Sequence, residues 1–581
     1  MNYSVTMSDS LLWKIGGEAG FGVMTTGADL AKIATHQGYQ IAGYMEYPSL
    51  IRGGHNTYEI HFSVDKIHSS KKHIDVLVCL NKETYELHKD RLNKDSIVFY
   101  DKEMFTIADK AVSAFHIPLK KTLKDEGASI VMMNTITIGA SIAVFNWPLE
   151  VHFKMIETSF GKKGEEIVAI NKKLSQIGYD YVKKNYPEKS FPAFKARKTE
   201  DTHLVMTGND AFCLGALIGD CRLYSAYPMT PASTVLTRMA DYAEKLGIVV
   251  RHAEDEISVI NTALGVSFAG VRSAVGTSGG GFALMTESVS YAGVAEIPVV
   301  IFLSQRPGPA TGMPTWTEQG DLLFAVHAGH GEFPKIILAA GDLEEMYTLS
   351  AEAFNLADIY QTPVIVMSDK HLSESVWSTS KINLKLFANS YEINRGKIVD
   401  QVAEASYRRY QPSPDGISPM LIPGQKGHFY QANSYEHEDD GHTSELSADR
   451  VQQVNKRAKK ITTYLKNHFQ LPQIIGDIKN SNVVFVSWGS NKGAIIDAIA
   501  DLKKSDTEAA LIHFTHLFPL DVVKMSKIFQ AKKRYILVEN NSQAQFGKLL
   551  REQAGIDIKE MILKYDGRQI YKEQIINYVN N

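Results

Sequence analysis

Short apolar segments alternate with longer amphipathic segments along most of this chain. Leu11–Ile15 is followed by the glycine-rich turn Gly16–Gly22 and then by Val23–Gln37, whose apolar residues recur at helical spacing. Ile74–Leu80 has the pattern of a further buried strand. Buried strands that alternate with helices predict an α/β fold, in which helices cover the faces of a mostly parallel sheet.

The same alternation recurs in two further parts of the chain, and a length of 581 residues indicates several domains rather than one core. Further strands are predicted at 249–251, 273–276, 299–303, 364–367, 482–487 and 535–539. A charged stretch at 186–201 is typical of a linker. Residues 385–446 lose the periodicity and gain turn residues, which is typical of a long ordered connection ahead of a basic helix at 449–469. We therefore predict α/β domains at 1–190, 200–385 and 471–581, with a connection at 386–470.

Composition argues against several classes of function. A net charge of −3, from 62 basic and 65 acidic residues, leaves no overall field that would attract nucleic acid or an anionic membrane. The first 14 residues lack the pattern of a signal peptide, and the apolar run at 130–145 is interrupted by Asn134, Thr135 and Thr137, so we expect no membrane span. The three cysteines form no CxxC pair. This favours a reducing, cytoplasmic compartment and argues against an iron–sulfur cluster held by this chain alone.

Three short motifs follow one another at predicted strand-to-helix junctions. They are Tyr227–Ser233 (YPMTPAS), Glu254–Glu256 (EDE) and Arg306–Gly312 (RPGPATG). Because α/β sheets bind ligands beside the carboxyl ends of their strands, we expect these motifs to meet at one edge of a sheet. A rigid hydroxyl-bearing turn, a carboxylate and a guanidinium are the groups that a 2-oxo acid needs. Together they suggest half of a thiamine-dependent active site.

Each motif also has a structural explanation. Thr230 followed by Pro231 has the pattern of a helix N-cap and a first helical residue, and on local signals alone that is the better explanation of the turn. Acidic residues in a first helical turn favour the helix dipole by up to about 1 kcal/mol without any catalytic role. Arg306, taken alone, is as well explained as a surface arginine at the end of a strand. The functional interpretation therefore depends on the three motifs together.

Two glycine-rich turns and one acidic segment add weaker signals. Gly276–Phe282 lacks the Gly-Lys-Ser/Thr ending of a P-loop and is explained as well by close packing of a strand and a helix. Gly16–Gly22 is typical of a turn that holds a phosphate at a helix N-terminus. The turn at 49–55 would add a cation through Arg52, although a solvated loop explains it as well. The segment 436–442 has no recognised metal-ligand spacing, so we assign it a structural role in the connection.

Taken together, these motifs resemble those of one family, the α subunits of 2-oxoacid:ferredoxin oxidoreductases in the form that carries a γ domain ahead of α. Among these the chain most resembles the 2-oxoglutarate enzymes. The resemblance extends through the segments 16–22, 49–54, 208–211, 227–233, 254–265, 306–321, 331–333, 436–442 and 538–540, which is nearly the whole chain. It implies several doubly wound sheet domains: a γ domain that contributes to coenzyme A binding, a pyrimidine-binding thiamine-enzyme domain and a transketolase C-terminal-like domain.

The resemblance also implies roles for individual residues. Glu256 corresponds to the glutamate that activates the aminopyrimidine ring of thiamine diphosphate, but Glu254 is a rival because the acidic cluster allows a shift of two residues. Arg306 corresponds to the arginine that binds the substrate carboxylate. Thr230 corresponds to the threonine whose hydroxyl hydrogen-bonds the substrate, and the departures of this loop from the family's YPITPSS sequence, Met229 and Ala232, spare it. Further cofactor contacts are expected from Tyr227, Pro228, Gly17, Gly20, Gly22 and Arg52.

The cofactors and partners are likewise implied by the resemblance. This chain would supply the pyrimidine side of the thiamine diphosphate site and no metal ligand. A separate β subunit would supply the diphosphate and Mg²⁺ site and a 4Fe-4S cluster, in an (αβ)2 heterotetramer. The implied reaction is the oxidative decarboxylation of 2-oxoglutarate with coenzyme A to succinyl-CoA, CO2 and reduced ferredoxin, or its reverse, as in a reductive tricarboxylic acid cycle. Two alternatives stay open: an oxidoreductase for pyruvate or branched-chain 2-oxo acids, and a non-catalytic nucleotide-binding assembly subunit.

Overall fold

The structure is a computed structural model that describes residues 10–49, 53–109, 112–187, 191, 203–403, 407–529 and 533–581. Its strands are β1 (Ser10–Glu18), β2 (Gln40–Glu46), β3 (His55–Ser63), β4 (Val76–Cys79), β5 (Ile97–Tyr100), β6 (Ser113–His116), β7 (His203–Thr207), β8 (Leu223–Ala226), β9 (Val249–His252), β10 (Ser273–Thr277), β11 (Val299–Gln305), β12 (Ile336–Ala339), β13 (Pro363–Asp369), β14 (Val376–Ser380), β15 (Ile398–Val399), β16 (Met420–Leu421), β17 (Gln473–Ile475), β18 (Val483–Trp488), β19 (Ala509–Phe514), β20 (His516–Phe518), β21 (Arg534–Glu539) and β22 (Glu560–Leu563). Its α-helices are α1 (Val23–His36), α2 (Lys82–His88), α3 (Leu119–Asp125), α4 (Met133–Phe145), α5 (Glu150–Phe160), α6 (Glu165–Asn185), α7 (Gly208–Ile218), α8 (Ser233–Leu246), α9 (Glu256–Phe268), α10 (Gly279–Val294), α11 (Leu322–His327), α12 (Leu343–Tyr360), α13 (Lys370–Glu374), α14 (Lys381–Ser390), α15 (Ser447–Asn467), α16 (Lys492–Lys504), α17 (Val522–Ile528), α18 (Gln545–Ala554) and α19 (Lys572–Asn580). Among the described helices, none combines the length and the apolar character that crossing a membrane requires.

The chain divides into two compact units. The first unit consists of Met1–Met206, Ser375–Ile382 and Tyr571–Gln574, and the second of Thr207–Glu374, Asn383–Ile570 and Ile575–Asn581. The division of the chain into three α/β domains and a connection stays a prediction. Most of the predicted linker, from 188 to 190 and from 192 to 201, lies outside the described residues.

An eight-stranded sheet forms the centre of the first unit, in the order β6-β5-β4-β1-β3-β2-β14-β7. The strands β6, β5, β4 and β1 are parallel neighbours, as the alternation of strands and helices predicts. From β1 onward, however, β3, β2 and β14 pair antiparallel, so the sheet is mixed rather than mostly parallel. Helix α1 packs its apolar side, which includes Leu30 and Ile33, into the core of this unit. Each such buried side chain stabilises the fold by roughly 1.5–3 kcal/mol.

Two sheets form the second unit. The larger has the order β20-β12-β13-β11-β10-β8-β9 and is parallel except for β20. From β8 the chain moves outward to β9 and then returns to β10, so the strand order reverses between β8 and β10. In sheets of this type a crevice lies at such a reversal, beside the carboxyl ends of the strands. The smaller sheet has the order β17-β19-β18-β21-β22 and is parallel except for β17. The predicted α/β class is confirmed.

Buried ion pairs hold the connection that precedes α15 and α15 itself. The carboxylate of Glu296 lies 2.5 Å from Lys456 Nζ and 2.6 Å from Lys460 Nζ, and all three side chains are almost wholly buried. Glu436, in the acidic segment, pairs with Arg457 at 2.7 Å. Buried charges need partners of this kind, because an unpaired buried charge is strongly destabilising. The contacts agree with the structural role that we assigned to residues 436–442.

Candidate active site

Four loops meet where the strand order of the larger sheet reverses. Tyr227–Ser233 follows β8, Glu254–Glu256 follows β9 and Arg306 follows β11, and these strands are neighbours of β10 or of one another. The turn after β10 leads into Gly279–Gly281, the first three residues of α10. The sheet therefore places the three sequence motifs and one glycine-rich turn at a single edge, as the sequence predicts.

Glu256 is the first residue of α9 and is buried, with 3% of its surface exposed. The preceding residue, Asp255, caps the helix, because its carboxylate accepts a hydrogen bond from the Ser258 backbone N–H at 2.7 Å. The Glu256 carboxylate is therefore not needed for the cap, and its Oε1 has no hydrogen-bond partner among the described residues. The rival Glu254 has a side chain that is 72% exposed and lies 3.9 Å from Arg251. A buried oxygen without a partner costs about 1–3 kcal/mol, so the position of Glu256 favours a ligand that donates a hydrogen bond there.

The glycines at the start of α10 keep the space beside two carboxylates clear. A Cβ on Gly281 would lie 2.4 Å from Glu256 Oε1 and 2.2 Å from Thr277 Oγ1. A Cβ on Gly279 would lie 2.6 Å from the carboxylate of Asp321. Real Cβ atoms do not approach other heavy atoms so closely, so a side chain at either position would force the neighbouring carboxylate to move. Glu256 and Asp321 therefore lie against the same short stretch of backbone.

Arg306 follows β11 directly and is half-buried. Its Nη1 donates a hydrogen bond to the backbone carbonyl of Thr230 at 2.8 Å, which joins the first and third motifs. Burial lowers the pKa of the guanidinium, and the negative charge of Asp321 acts against that shift. Within the described part of the chain no carboxylate forms a direct ion pair with Arg306, so its other N–H groups are available to a carboxylate that enters the site.

Two acidic residues near Arg306 have raised pKa values. Burial raises the pKa of Asp321 to about 6, and the positive charge of Arg306 acts against that shift. Burial, and then the negative charge of Asp321, raise the pKa of Glu318 to about 7. No local sequence pattern assigns a role to either residue, because their burial is produced by segments distant in the chain. The carboxylate of Asp321 does not cap α11.

The Tyr227–Ser233 loop is held from behind by Asn209. The Asn209 Nδ2 donates to the carbonyl oxygen of Pro231 at 2.8 Å and to the hydroxyl of Thr234 at 2.6 Å. Helix α8 begins at Ser233 with Ala232 as its N-cap residue, so the explanation in which Thr230 caps the helix and Pro231 is its first residue is wrong. Thr230 and Pro231 therefore take no part in starting the helix, which leaves the loop available to bind a ligand. Tyr227 and Pro228 are exposed, and the Tyr227 ring lies 6.3 Å from the ring of His252.

Side-chain amides fix the turn that carries Glu318 and Asp321. Gln319, between them, is fully buried, and its Oε1 accepts hydrogen bonds from Asn491 Nδ2 at 2.7 Å and from the Asn540 backbone N–H at 3.0 Å. The other side-chain amides that bind the backbone of this turn belong to Gln305, Gln545 and Asn541. We call Gln305, Gln319, Asn541 and Gln545 the amide clasp. Because Gln305 Oε1 accepts from the Asp321 backbone N–H at 3.0 Å, the clasp fixes Asp321 at the end of β11, beside Arg306.

The glycine-rich turn of the first unit is shorter than the sequence predicts. Gly17 lies inside β1 and is buried, so it belongs to the strand and not to the turn. Gly20 has φ +98° and Gly22 has φ +74°, a left-handed conformation that favours glycine. Gly22 is also the N-cap residue of α1, which carries no acidic residue in its first turn. Arg52, the predicted cation, lies outside the described residues.

Thiamine diphosphate fits the arrangement around Glu256. An aminopyrimidine ring needs an acceptor for its ring N–H group, which the partnerless Oε1 of Glu256 offers, and it needs space, which the missing side chain of Gly281 leaves. Groups of three or more His, Cys, Asp or Glu side chains that could hold a metal ion do not occur in the described ranges. The partnerless Oε1 of Glu256 and the space beside Gly281 are the features that suit the aminopyrimidine ring of such a cofactor.

Two known families match this chain. Residues 214–456 match the family described as pyruvate flavodoxin/ferredoxin oxidoreductase, thiamine diphosphate-binding, and residues 12–181 match the family described as pyruvate ferredoxin/flavodoxin oxidoreductase. The first match includes all three motifs of the candidate site, and the second includes the glycine-rich turn of the first unit.

One curated protein and one solved structure match along nearly the full length of this chain, and a second curated protein matches about two thirds of it. The chain is 32% identical, over 97% of its length and 96% of the relative, to the 2-oxoacid:ferredoxin oxidoreductase subunit alpha of Sulfolobus sp.. It is 26% identical, over 64% of its length and 96% of the relative, to the 2-oxoglutarate synthase subunit KorA of Methanothermobacter thermautotrophicus. The solved structure is the 2-oxoglutarate:ferredoxin oxidoreductase from Magnetococcus marinus with 2-oxoglutarate, coenzyme A and succinyl-CoA bound. It matches with a TM-score of 0.91 and 30% identity, over 99% of both chains.

Proposed function

This chain belongs to the family of 2-oxoacid:ferredoxin oxidoreductase α subunits, and from that premise we propose that it forms the pyrimidine side of a thiamine diphosphate site that oxidises 2-oxoglutarate. In the proposed reaction, 2-oxoglutarate, coenzyme A and oxidised ferredoxin give succinyl-CoA, CO2 and reduced ferredoxin, which carries the two electrons released. One observation carries the proposal. Glu256, buried with a partnerless oxygen, and the pair Asp321 and Arg306 lie on the two sides of the start of α10, where the strand order reverses.

Each residue of the site has a chemical task in this proposal. Thiamine diphosphate, when bound, supplies a nucleophilic carbon and an electron sink for the loss of CO2. Glu256 accepts a hydrogen bond at Oε1 from the aminopyrimidine and so stabilises the proton on that ring. Arg306 binds the carboxylate of the 2-oxo acid through the N–H groups that the Thr230 carbonyl does not use. The hydroxyl of Thr230 hydrogen-bonds the substrate, and Tyr227 and Pro228 line the cofactor. Glu254 has no task, because it faces solvent.

The choice of 2-oxoglutarate is supported by the relatives. The KorA subunit carries the name 2-oxoglutarate synthase, and the matched solved structure holds 2-oxoglutarate, coenzyme A and succinyl-CoA. For this chain we likewise propose a contact with coenzyme A in the first unit, through the backbone around Gly20 and Gly22, with Gly17 behind it and Arg52 as a cation. The left-handed backbone of Gly20 and Gly22 ahead of a helix without acidic residues in its first turn supports an anion there.

The remaining parts of the site belong to other chains in this proposal. The relative from Sulfolobus is a subunit alpha, so we infer that the active enzyme has at least one other chain. We propose that a β subunit holds the diphosphate with Mg²⁺ and a 4Fe-4S cluster that passes electrons to ferredoxin, in a cytoplasmic (αβ)2 heterotetramer. The direction of the reaction is left open, since reductive carboxylation uses the same groups.

The test is an assay of the assembled enzyme. The chain is purified with its β subunit, and viologen reduction is measured with coenzyme A and a panel of 2-oxoglutarate, pyruvate and branched-chain 2-oxo acids. We expect the highest kcat/KM with 2-oxoglutarate. Preference for another 2-oxo acid would correct the substrate only, whereas no turnover with any of them would leave the chain as an assembly subunit.

A variant at Arg306 tests, in the same assay, whether this guanidinium binds the carboxylate of the substrate. We expect Arg306→Ala to lower kcat/KM about 100-fold, because the substrate carboxylate loses a charged partner that binds it through parallel hydrogen bonds. Arg306→Lys keeps the charge and loses the planar fork, so its loss should be intermediate. The matched control is Arg222→Ala, at an arginine whose side chain is 52% exposed. An unchanged kcat/KM in Arg306→Ala would show that Arg306 does not bind the substrate carboxylate.

A further inference from the structure

Asp321 and Arg306 carry opposite charges that influence one another without a direct ion pair. The charge of each residue acts on the pKa of the other, yet the guanidinium hydrogen-bonds only the Thr230 carbonyl among the described residues. The Asp321 carboxylate does not cap α11, and both of its oxygens lie over Gly279, at 2.6 and 2.7 Å from the position of a Cβ there. The Asp321 carboxylate thus lies close enough to offset the positive charge of Arg306, but no direct ion pair joins the two side chains.

A second carboxyl group lies on the same turn. The Oε1 of Glu318 lies 3.2 Å from the position that a Cβ on Gly320 would take, so this side chain folds back over the turn. The charged groups around Asp321 are therefore Arg306 at the end of β11 and Glu318 on its own turn, with the N-terminus of α10 at Gly279 and Glu256 of α9 beyond Gly281. Before any substrate is bound, Asp321 thus interacts with the Arg306 guanidinium on one side and with the Glu318 carboxyl group on the other.

A bound 2-oxo acid adds a further carboxylate to this group. Like charges that share a half-buried site repel, and the repulsion favours the protonated form of a carboxyl group beside the new charge. Burial already holds the pKa of Asp321 at about 6 and that of Glu318 at about 7. Near neutral pH a proton can therefore enter at small cost in free energy.

We propose that Asp321 is a specificity-determining residue that exchanges with the substrate: its carboxylate balances Arg306 in the free enzyme, and it takes up a proton when the carboxylate of the 2-oxo acid binds the guanidinium. The proposal rests on the proposed function, since it needs the substrate carboxylate at Arg306. One negative charge and one proton enter together. The proton comes from solvent and ends on Asp321, so the net charge of the group does not change.

The exchange has a pH dependence whose sign is fixed. The bound state holds one more proton than the free state in the range between the two pKa values of the carboxyl group, so binding is strongest at low pH and weakens as pH rises through that range. One linked proton changes an affinity by up to about tenfold per pH unit. A ligand without a carboxylate brings no charge to Arg306, so its binding takes up no proton and lacks this pH dependence.

The test compares Asp321→Asn with the wild-type assembled enzyme. We expect the KM for 2-oxoglutarate to rise at least about fivefold between pH 6.5 and 8 in the wild type, and less than about twofold in Asp321→Asn. The matched control is Asp400→Asn, which changes an exposed carboxylate and should follow the wild type. A second readout does not depend on turnover. Calorimetric titration of the assembled enzyme with glutarate, an unreactive dicarboxylate, in phosphate and in Tris should show uptake of about one proton in the wild type and clearly less in the variant.

The outcomes separate this proposal from the proposed function. If the wild type turns over and Asp321→Asn keeps both the pH slope and the proton uptake, the exchange is overturned and the function stands. If no 2-oxo acid is turned over by the wild type, both are overturned. If Asp321→Asn does not assemble, the calorimetric titration of the wild type with glutarate decides: binding without uptake of a proton would contradict the exchange.

Discussion

At the scale of single residues, Glu256 and Glu254 differ more than their spacing suggests. Both belong to one acidic cluster, but Glu256 is 3% exposed and the Glu254 side chain is 72% exposed. We predict that Glu256→Gln lowers turnover of the assembled enzyme about 100-fold or more, because the amide cannot take part in proton transfer with the cofactor ring. The rate of viologen reduction at saturating substrate measures the effect.

The control for that prediction is Glu254→Gln, which makes the same chemical change at the solvent-facing position. It should retain wild-type turnover, and both variants should keep the wild-type melting temperature, since Asp255 rather than either glutamate caps α9. Near-normal turnover in Glu256→Gln together with a loss in Glu254→Gln would reverse the assignment.

The sequence could predict which residue types the site contains, but not their contacts. Arg306 could be placed after a strand from its apolar neighbours alone, since strand ends are local features. Its contact with Thr230 joins residues 76 positions apart in the chain, and no local pattern reports such a pair. The sequence pattern also predicted Thr230 as a helix cap. It cannot show that Asn209 hydrogen-bonds the Pro231 carbonyl, or that α8 begins only at Ser233.

At the scale of secondary-structure elements, the amide clasp links the turn at 317–323 to the loops after β18 and β21. Gln319 is its central member, with side-chain hydrogen bonds to Asn491, to Asn540 and to the carbonyl oxygen of Trp488. We predict that Gln319→Met lowers the free energy of unfolding by about 3 kcal/mol, because buried polar groups lose their partners. We also predict that it raises the KM for the 2-oxo acid about tenfold, since Asp321 and Glu318 are displaced relative to Arg306. Thermal melting and steady-state kinetics measure the two effects.

The exposed Gln401 offers a matched control for the clasp. Gln401→Met should change neither the melting temperature nor the KM. A Gln319→Met variant that melts at a lower temperature with an unchanged KM would make the clasp a stabilising element with no influence on the site.

Element order was less predictable than element type. Most strands and helices lie where apolar periodicity places them, such as β18, β21 and α15. The mixed character of the first sheet was not predicted, because β14 comes from residues 376–380 and pairs with β2, more than 300 positions earlier in the chain. Periodicity describes one segment at a time, so it cannot identify a partner at that distance.

At the scale of the whole molecule, the proposed sharing of the cofactor with a β subunit requires an interface beside the site. Leu284 of α10 and Ile257 of α9 are 52% and 49% exposed, and the two helices are neighbours, since Asn261 Nδ2 donates to Ser288 Oγ at 3.0 Å. We predict that Leu284→Asp weakens assembly with the β subunit at least about 100-fold, because an unpaired charge would be buried in the interface. Size-exclusion chromatography and calorimetry measure the affinity.

Leu471 is 51% exposed and lies away from both helices in the sequence, so Leu471→Asp is the control. It should assemble like the wild type. Equal affinity of Leu284→Asp and the wild type for β would place the subunit contact on another face.

The glycines at the start of α10 contribute to the site because they have no side chains. A single methyl group at position 281 would occupy the ground next to the Glu256 oxygen, and one at position 279 would collide with Asp321. An alanine at either position would thus take up space in the site in the way that a permanently bound inhibitor does. A change of one carbon atom at either position would therefore displace a carboxylate of the site without altering any reactive group.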